Sequence, residues 1–94
     1  MVKYDIYFSK QANKDKKLIA NVGLQKKVEE ILEIIEKDQY DTSNNFERLK
    51  YDLKKFYSRR ISYQHRLVYE VDNDKREITI HRMWSHYENY KNIS

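Results

Sequence analysis

The sequence predicts an α+β domain in which two helices lie on one face of a β-sheet. Three observations predict this class. A short N-terminal segment alternates at period two, the next segment places apolar residues at helical spacing, and short alternating segments follow from residue 47 onward. Separate runs of helices and strands are typical of α+β folds. The chain has 94 residues, which is enough for one such domain.

The N-terminal segment is predicted to be a strand followed by a helix. Every second side chain of residues 3–8 is apolar or aromatic on one face of the strand. Ser9 is a suitable helix N-cap, because its hydroxyl can accept a hydrogen bond from a free first-turn amide. The helix is expected to run to about Ala20. Its predicted inward side chains are Ala12, the stem of Lys16, Ile19 and Ala20.

A second helix is predicted after a turn at Gly23, the only glycine, because glycine adopts positive φ at no steric cost. This helix is expected from Leu24 to about Lys37. The two helices are expected to form an antiparallel pair across the sheet. The second helix has an apolar stripe that predicts core packing, formed by Leu24, Val28, Ile31, Leu32 and Ile35.

The remainder of the chain is predicted to be a loop and a β-meander, which makes the sheet antiparallel. Residues 38–45 are polar and are expected to form an exposed loop. Asp72, Asn73 and Asp74 predict a turn between the last two strands. The predicted strands are Glu47–Lys50, Phe56–Ile61, Arg66–Val71 and Glu77–Trp84.

The composition excludes several classes of protein. Cysteine is absent, which excludes disulfides, a cysteine nucleophile and thiolate metal sites. The sequence contains neither an apolar run of about 20 residues nor the apolar core of a signal peptide, so we expect a cytoplasmic protein. The net charge of +4 and the pI near 9.2 favour a nucleic acid or an acidic protein as partner.

The chemistry is concentrated in the segment from Tyr57 to Tyr69, YSRRISYQHRLVY. Several cations on short strands are unfavourable unless a polyanion neutralises them. Arg59 and Arg60 are neighbours and point to opposite faces of a strand, so at most one easily enters a shared site. No His/Asp cluster has the spacing of a metal site. Together with Glu47, Lys50 and the pair His86-Tyr87, these residues provide a possible base, a possible acid and several cations. Such a group of side chains suits RNA cleavage without a metal.

These residues occur in four blocks that resemble one known family. The blocks are Glu47-Arg48-Leu49-Lys50, Tyr57-Ser58-Arg59-Arg60-Ile61, His65-Arg66-Leu67-Val68-Tyr69 and His86-Tyr87. In this order and spacing they resemble the YoeB/Txe toxins of bacterial toxin–antitoxin modules, within the RelE-like superfamily. The resemblance implies a RelE-like fold and a ribosome-dependent endoribonuclease that cuts messenger RNA in the decoding site, without a cofactor.

The resemblance also implies a role for each matched residue. Glu47 matches the general base that takes the proton of the ribose 2′-hydroxyl, and His86 matches the general acid that protonates the departing 5′-oxygen. The cations that would hold the scissile phosphate are Lys50, Arg60 and Arg66, with Arg66 assigned to catalysis. Tyr87 would be the aromatic neighbour in the site and would stack on a base.

The sequence departs from the family pattern at several positions. Lys55 and Phe46 replace a usual glycine and a usual proline, and residues 83–85 differ from those of many relatives. Residues 88–94 extend beyond the usual end, so we expect a single RelE-like domain over residues 1–94 with a C-terminal extension at 88–94.

The expected partners are the ribosome, messenger RNA and an acidic, YefM-like antitoxin, with a homodimer in the toxin–antitoxin complex. Two alternatives are a gyrase-binding toxin on the same scaffold and a non-catalytic nucleic-acid-binding module.

From the residues alone, Glu47 could pair with Lys50, and Arg60 and Arg66 could be solvated. Arg59 is expected to brace the fold or contact the antitoxin, and His65 and His81 are expected to be structural or surface residues.

Overall fold

The computed structural model describes residues 3–48, 56–63 and 65–84. These ranges contain two helices and a five-stranded sheet in the order β1-β5-β4-β3-β2. The α+β class is therefore confirmed. In chain order the elements are β1 (Asp5–Phe8), α1 (Lys10–Asn21), α2 (Gln25–Lys37), β2 (Glu47–Arg48), β3 (Phe56–Arg60), β4 (Arg66–Asp72) and β5 (Glu77–Arg82).

The sheet is mixed, which corrects the expectation of an antiparallel sheet. The strands from β2 to β5 pair antiparallel, but β1 pairs with β5 in parallel, with Asp5 opposite Glu77. The reason is the direction of the chain. Two successive helices return it to the end of the sheet where β1 stops, so β2 runs against β1. Three further reversals then leave β5 parallel to β1.

The first helix begins directly after Ser9 as predicted, and the second begins at Gln25, one residue later than predicted. The apolar stripe of α2 is buried as expected at Val28, Ile31 and Ile35. The hydroxyl of Ser9 accepts a hydrogen bond from the amide of Ala12 at 3.0 Å, and Gly23 has a φ of 77°. No helix in the described ranges is long and apolar enough to cross a membrane.

The inward face of α1 differs from the prediction at two positions. Ala20 is exposed, whereas Asp15 is fully buried beside Ala12 and Ile19. At about 100° per residue, Ala20 lies about 80° from Ala12 around the helix axis, while Asp15 and Ile19 lie on its other side. Lys16 is exposed, although its Nζ lies 3.7 Å from the centre of the Phe8 ring.

Two strands end earlier than predicted, β3 at Arg60 and β5 at Arg82. After β5, the amide of Met83 donates to Asp15 Oδ2 at 2.9 Å, so the strand stops before Trp84. After β3, the amide of Ile61 donates to the carbonyl of His65 at 2.9 Å and closes the connection to β4. The C-terminal half of the predicted Glu47–Lys50 strand lies outside the described residues.

The predicted turn between β4 and β5 is confirmed. The carboxylate of Asp72 accepts hydrogen bonds from the amides of Asp74 and Lys75, both at 3.0 Å. The predicted loop before β2 also forms, but it is not exposed throughout, because Gln39 is buried. Its Nε2 donates to the carbonyl of Ile35 at 2.8 Å, which folds the side chain back onto the end of α2.

The two faces of the sheet have different environments. One face packs against the helices, and its core residues include Tyr57, Ile61, Leu67, Tyr69, Val71, Ile78 and Ile80. The opposite face, called the outer face here, is set by strand alternation and register. The outer face carries Glu47 of β2, Phe56, Ser58 and Arg60 of β3, and Arg66, Val68 and Glu70 of β4.

Candidate active site

Three of the six predicted site residues lie together on the outer face. The antiparallel pairing of β3 and β4 places Arg60 opposite Arg66, and the pairing of β2 and β3 places Glu47 opposite Ser58. Because paired residues point to the same side of a sheet, these side chains share one surface. The other predicted site residues, Lys50, His86 and Tyr87, lie outside the described residues.

Arg66 is the most tightly held cation of this group. It is only 6% exposed, and its Nε donates to Ser58 Oγ at 3.1 Å. Its Nη2 donates to the carbonyl of Asn45 at 2.7 Å and lies 3.8 Å from Glu47 Oε1. The guanidinium is therefore fixed beside a carboxylate that is itself 48% exposed. Such a pair combines a solvent-accessible proton acceptor with a preorganised positive charge.

Arg60 has the opposite character, since its side chain is exposed. Its backbone amide donates a hydrogen bond to the carbonyl of Asn44 at 2.7 Å. An exposed arginine can reach a phosphate, because its long side chain extends into solvent and its planar guanidinium can bind two phosphate oxygens. The two arginines thus differ in exposure although they are direct cross-strand neighbours.

Arg59 faces away from this surface, and the predicted bracing role is confirmed. It is fully buried on the helix side of the sheet. Its Nη1 donates to the carbonyl of Ser43 at 2.9 Å, and its Nη2 donates to that of Gln39 at 3.2 Å. Its Nε donates to Tyr69 Oη at 3.1 Å. Arg59 therefore ties the loop before β2 to the centre of the sheet.

Tyr69 completes this connection. Burial raises the pKa of Tyr69 to about 12, so the phenol stays protonated at neutral pH. Its hydroxyl donates to the carbonyl of Gln39 at 2.7 Å while it accepts from Arg59. The carbonyl of Gln39 thus accepts hydrogen bonds from two different strands. This arrangement was not predictable from the sequence, because the two donors lie twenty and thirty positions from Gln39.

The loop that precedes Glu47 is shaped by a second set of contacts. Asn44 and Asn45 both have left-handed backbone conformations, with φ of 58° and 52°. Asparagine adopts this region more readily than most residues, and here both carbonyls accept hydrogen bonds from β3 or β4. Together with the Arg59 contacts, these bonds place the start of β2 and therefore Glu47.

The end of β5, four residues before His86, is held from two sides. Buried Asp15 accepts from the Nε of Arg82 at 3.0 Å and from the amide of Met83 at 2.9 Å. The ring of His65 stacks on that of Trp84 at 4.1 Å, and its Nδ1 contacts the carbonyl of Trp84. This agrees with the structural role expected for His65. The role of Asp15 was missed, because its partners are 67 and 68 positions away.

The described residues contain no group of three or more His, Cys, Asp or Glu side chains able to hold a metal ion. Near the predicted site, the described part of the outer face brings together the carboxylate of Glu47 and the guanidinium groups of Arg60 and Arg66. A carboxylate can accept a proton, and fixed guanidinium groups can stabilise an oxyanion or a phosphate.

Comparison with known proteins gives consistent matches. The family described as the YoeB-like toxin of bacterial type II toxin–antitoxin system matches residues 3–87. Toxin YoeB of Escherichia coli O6:H1 is 41% identical over 49 residues, which is 52% of this chain and 58% of that protein. This alignment therefore spans little more than half the length of the curated relative.

Solved structures match over most of both chains. The YoeB dimer from Staphylococcus aureus has a TM-score of 0.79 at 36% identity, covering 90% of this chain and 99% of that one. The heterotetrameric YoeB–YefM complex from the same organism has a TM-score of 0.76 with the same identity and coverage. A YoeB/ParE toxin from Agrobacterium tumefaciens has a TM-score of 0.81, covers 88% of this chain and 99% of that one, and, at 20% identity, supports the fold alone.

Proposed function

The chain belongs to the YoeB-like toxins of bacterial type II toxin–antitoxin systems, and from this premise we propose that it is an endoribonuclease that cuts messenger RNA on the ribosome. The observation that carries the proposal is the pair of Glu47 and Arg66, 3.8 Å apart on the outer face. A proton acceptor beside a fixed cation is what attack by a 2′-hydroxyl on the adjacent phosphate requires.

In the proposed reaction, Glu47 removes the proton of the ribose 2′-hydroxyl. The resulting oxygen attacks the neighbouring phosphorus, and negative charge builds up on the phosphoryl oxygens. Arg66 stabilises this charge from a position that its bonds to Ser58 and Asn45 already define, so little reorganisation is needed at the moment of reaction. Exposed Arg60 closes on the phosphate from solvent.

The remaining roles are assigned to residues outside the described ranges, from the family resemblance of their blocks. Lys50 contributes a further cation to the phosphate, and Tyr87 stacks on a base. His86 donates its proton to the 5′-oxygen as the P–O bond breaks. The products are a 2′,3′-cyclic phosphate and a 5′-hydroxyl, and no metal or cofactor takes part in this scheme.

We further propose an acidic antitoxin and a second toxin chain as partners, in the cytoplasm. The relatives support this, because Staphylococcus aureus YoeB has been solved both as a dimer and in complex with YefM. The net charge of +4 favours an acidic partner. A disordered acidic segment that folds on binding would neutralise the cations of the outer face.

The proposed activity is tested by primer-extension mapping of a messenger RNA on programmed ribosomes. Wild type is compared with Glu47→Gln and His86→Ala, and Glu33→Gln on the exposed side of α2 serves as the matched control. Loss of a general base or acid should lower the cleavage rate about 10²- to 10⁴-fold, while the control cuts like wild type. Reactions without ribosomes should give no cuts.

A folded wild-type protein that produces no new 5′ ends would contradict the proposal. A gyrase supercoiling assay then separates the two alternatives. Inhibition of supercoiling would identify a gyrase-binding toxin, and RNA binding without either effect would identify a non-catalytic module.

A further inference from the structure

The outer face carries a second polar cluster that the proposed chemistry does not use. It consists of Phe56, Glu70 and His81. Phe56 lies opposite Glu70 in the pairing of β3 and β4. The rings of Phe56 and His81 are 4.8 Å apart at an interplanar angle of 30°, and His81 Nε2 is 3.0 Å from Glu70 Oε1. One aromatic ring, one imidazole and one carboxylate therefore form a contiguous surface across three strands.

This cluster remains accessible to a ligand. The His81 side chain is 20% exposed and that of Glu70 is 34% exposed, and Phe56 is half-buried. Phe56 points away from the helices and does not belong to the apolar core of the described residues. A large aromatic ring outside the core, with titratable partners that reach solvent, has the character of a binding surface.

The charges of the outer face indicate how a bound RNA strand would be arranged. Arg60 and Arg66 attract phosphates at one end, while the carboxylate of Glu70 repels them at the other. The part of a nucleotide that suits Glu70 is its uncharged base. Carboxylates accept hydrogen bonds from the amino group of cytosine, and aromatic rings stack on base faces.

We propose that Phe56, Glu70 and His81 form a nucleobase subsite for single-stranded RNA, which selects a base with an exocyclic amino group, cytosine, adenine or guanine, over uracil. Phe56 supplies the stacking surface, Glu70 accepts from the amino group, and His81 holds the carboxylate through their hydrogen bond. This inference rests on the proposed function, since it assigns a specificity determinant to the same RNA substrate.

The subsite is separate from the reacting phosphate. Glu70 lies four residues along β4 from Arg66, a distance of about 13 Å at about 3.3 Å per residue. The base that it reads is therefore expected a few nucleotides from the cut. Its removal should change which sequences are cut, not the nature of the products.

The test maps cleavage on programmed ribosomes with messenger RNAs in which each nucleotide near the cut is varied singly. Wild type should cut templates with cytosine or adenine at one of these positions about 5-fold or more faster than templates with uracil, the lower end expected for one direct base contact. Glu70→Ala and Phe56→Leu should abolish this difference. Glu33→Ala removes the same charge from exposed α2 and should retain it.

A binding measurement separates this inference from the proposed function. Fluorescence anisotropy with labelled hexamers of cytidine, adenosine or uridine is measured on His86→Ala protein, with and without Glu70→Ala, after circular dichroism has shown that each variant is folded. A preference for cytidine or adenosine that Glu70→Ala removes supports the subsite, even if wild type cuts no RNA. Cleavage or binding with a base preference that neither variant alters overturns the subsite, as does the absence of any preference in both assays.

Discussion

Replacing the buried Arg59 should destabilise the fold strongly, whereas the same change at its neighbour Arg60 should not. In Arg59→Met the side chain keeps most of its apolar volume but loses three described hydrogen bonds, to Tyr69 and to the carbonyls of Gln39 and Ser43. Arg60→Met removes an equal charge from an exposed position next to it. The pair is thus matched in residue type, substitution and strand.

The magnitude follows from the burial. Charged hydrogen bonds contribute about 1.5–3 kcal/mol each, but their sum overestimates the effect because burying the guanidinium has its own desolvation cost. We expect Arg59→Met to lower the free energy of unfolding by about 3–5 kcal/mol, because it leaves buried acceptors without donors, at about 1–3 kcal/mol each. A chain of 94 residues has a total stability of about 5–14 kcal/mol, so this change is a large fraction of it.

The assay is urea unfolding followed by circular dichroism, with both variants made on His86→Ala to permit expression. Arg60→Met should stay within about 0.5 kcal/mol of its parent. The slope of unfolding free energy against urea should be unchanged, because the exposed surface on unfolding is similar. A loss below about 1 kcal/mol for Arg59→Met, or equal losses for the two variants, would refute the assigned role of Arg59 in bracing the loop.

Three further changes test other parts of the structure. The free energy of unfolding should fall by about 2–3 kcal/mol between pH 10 and 12, because the Tyr69 phenol ionises near pH 10 when unfolded and near pH 12 when folded; urea unfolding across this range should show a smaller fall in Tyr69→Phe, and an equal fall would exclude Tyr69 as its source. Gly23→Ala should cost about 1–2 kcal/mol through backbone strain alone, since φ is 77° and a Cβ would meet nothing within 4 Å; an unchanged melting temperature would count against this. Asp15→Asn removes the carboxylate that accepts a hydrogen bond from Arg82, and it should lower the free energy of unfolding in urea by about 1.5–3 kcal/mol; a loss as small as that of exposed Glu33→Gln would disprove a stabilising ion pair.

Local signals in the sequence predicted much of the secondary structure. Ser9, Gly23 and the stripe of α2 act through bonds and contacts within a few residues, so composition and spacing were sufficient. The family was also predicted correctly from the four residue blocks and is confirmed by the match over residues 3–87. The assignments of the six site residues stay predictions.

The inward side of each strand could not be predicted from the same signals. The alternation of side chains along a strand predicts that Arg59 and Arg60 point to opposite faces, but it does not predict which face the helices cover. The structure places Arg59 under the helices and Arg60 on the outer face. An arginine in the core contradicts the usual preference for apolar residues. It is tolerated because two carbonyls and a phenol, all distant in sequence, accept hydrogen bonds from its guanidinium.

The sequence by itself determined the α+β class, the two helices, the succession of strands along the chain and the family. The tertiary structure alone decided that β1 runs parallel to β5, that Asp15 and Gln39 are buried, and that Glu47 lies beside Arg66. The physical reason is the range of the interactions. Caps, turns and apolar periodicity act within one element, whereas burial of a charge and the meeting of a base with a cation depend on partners that the folded sheet brings together from distant positions.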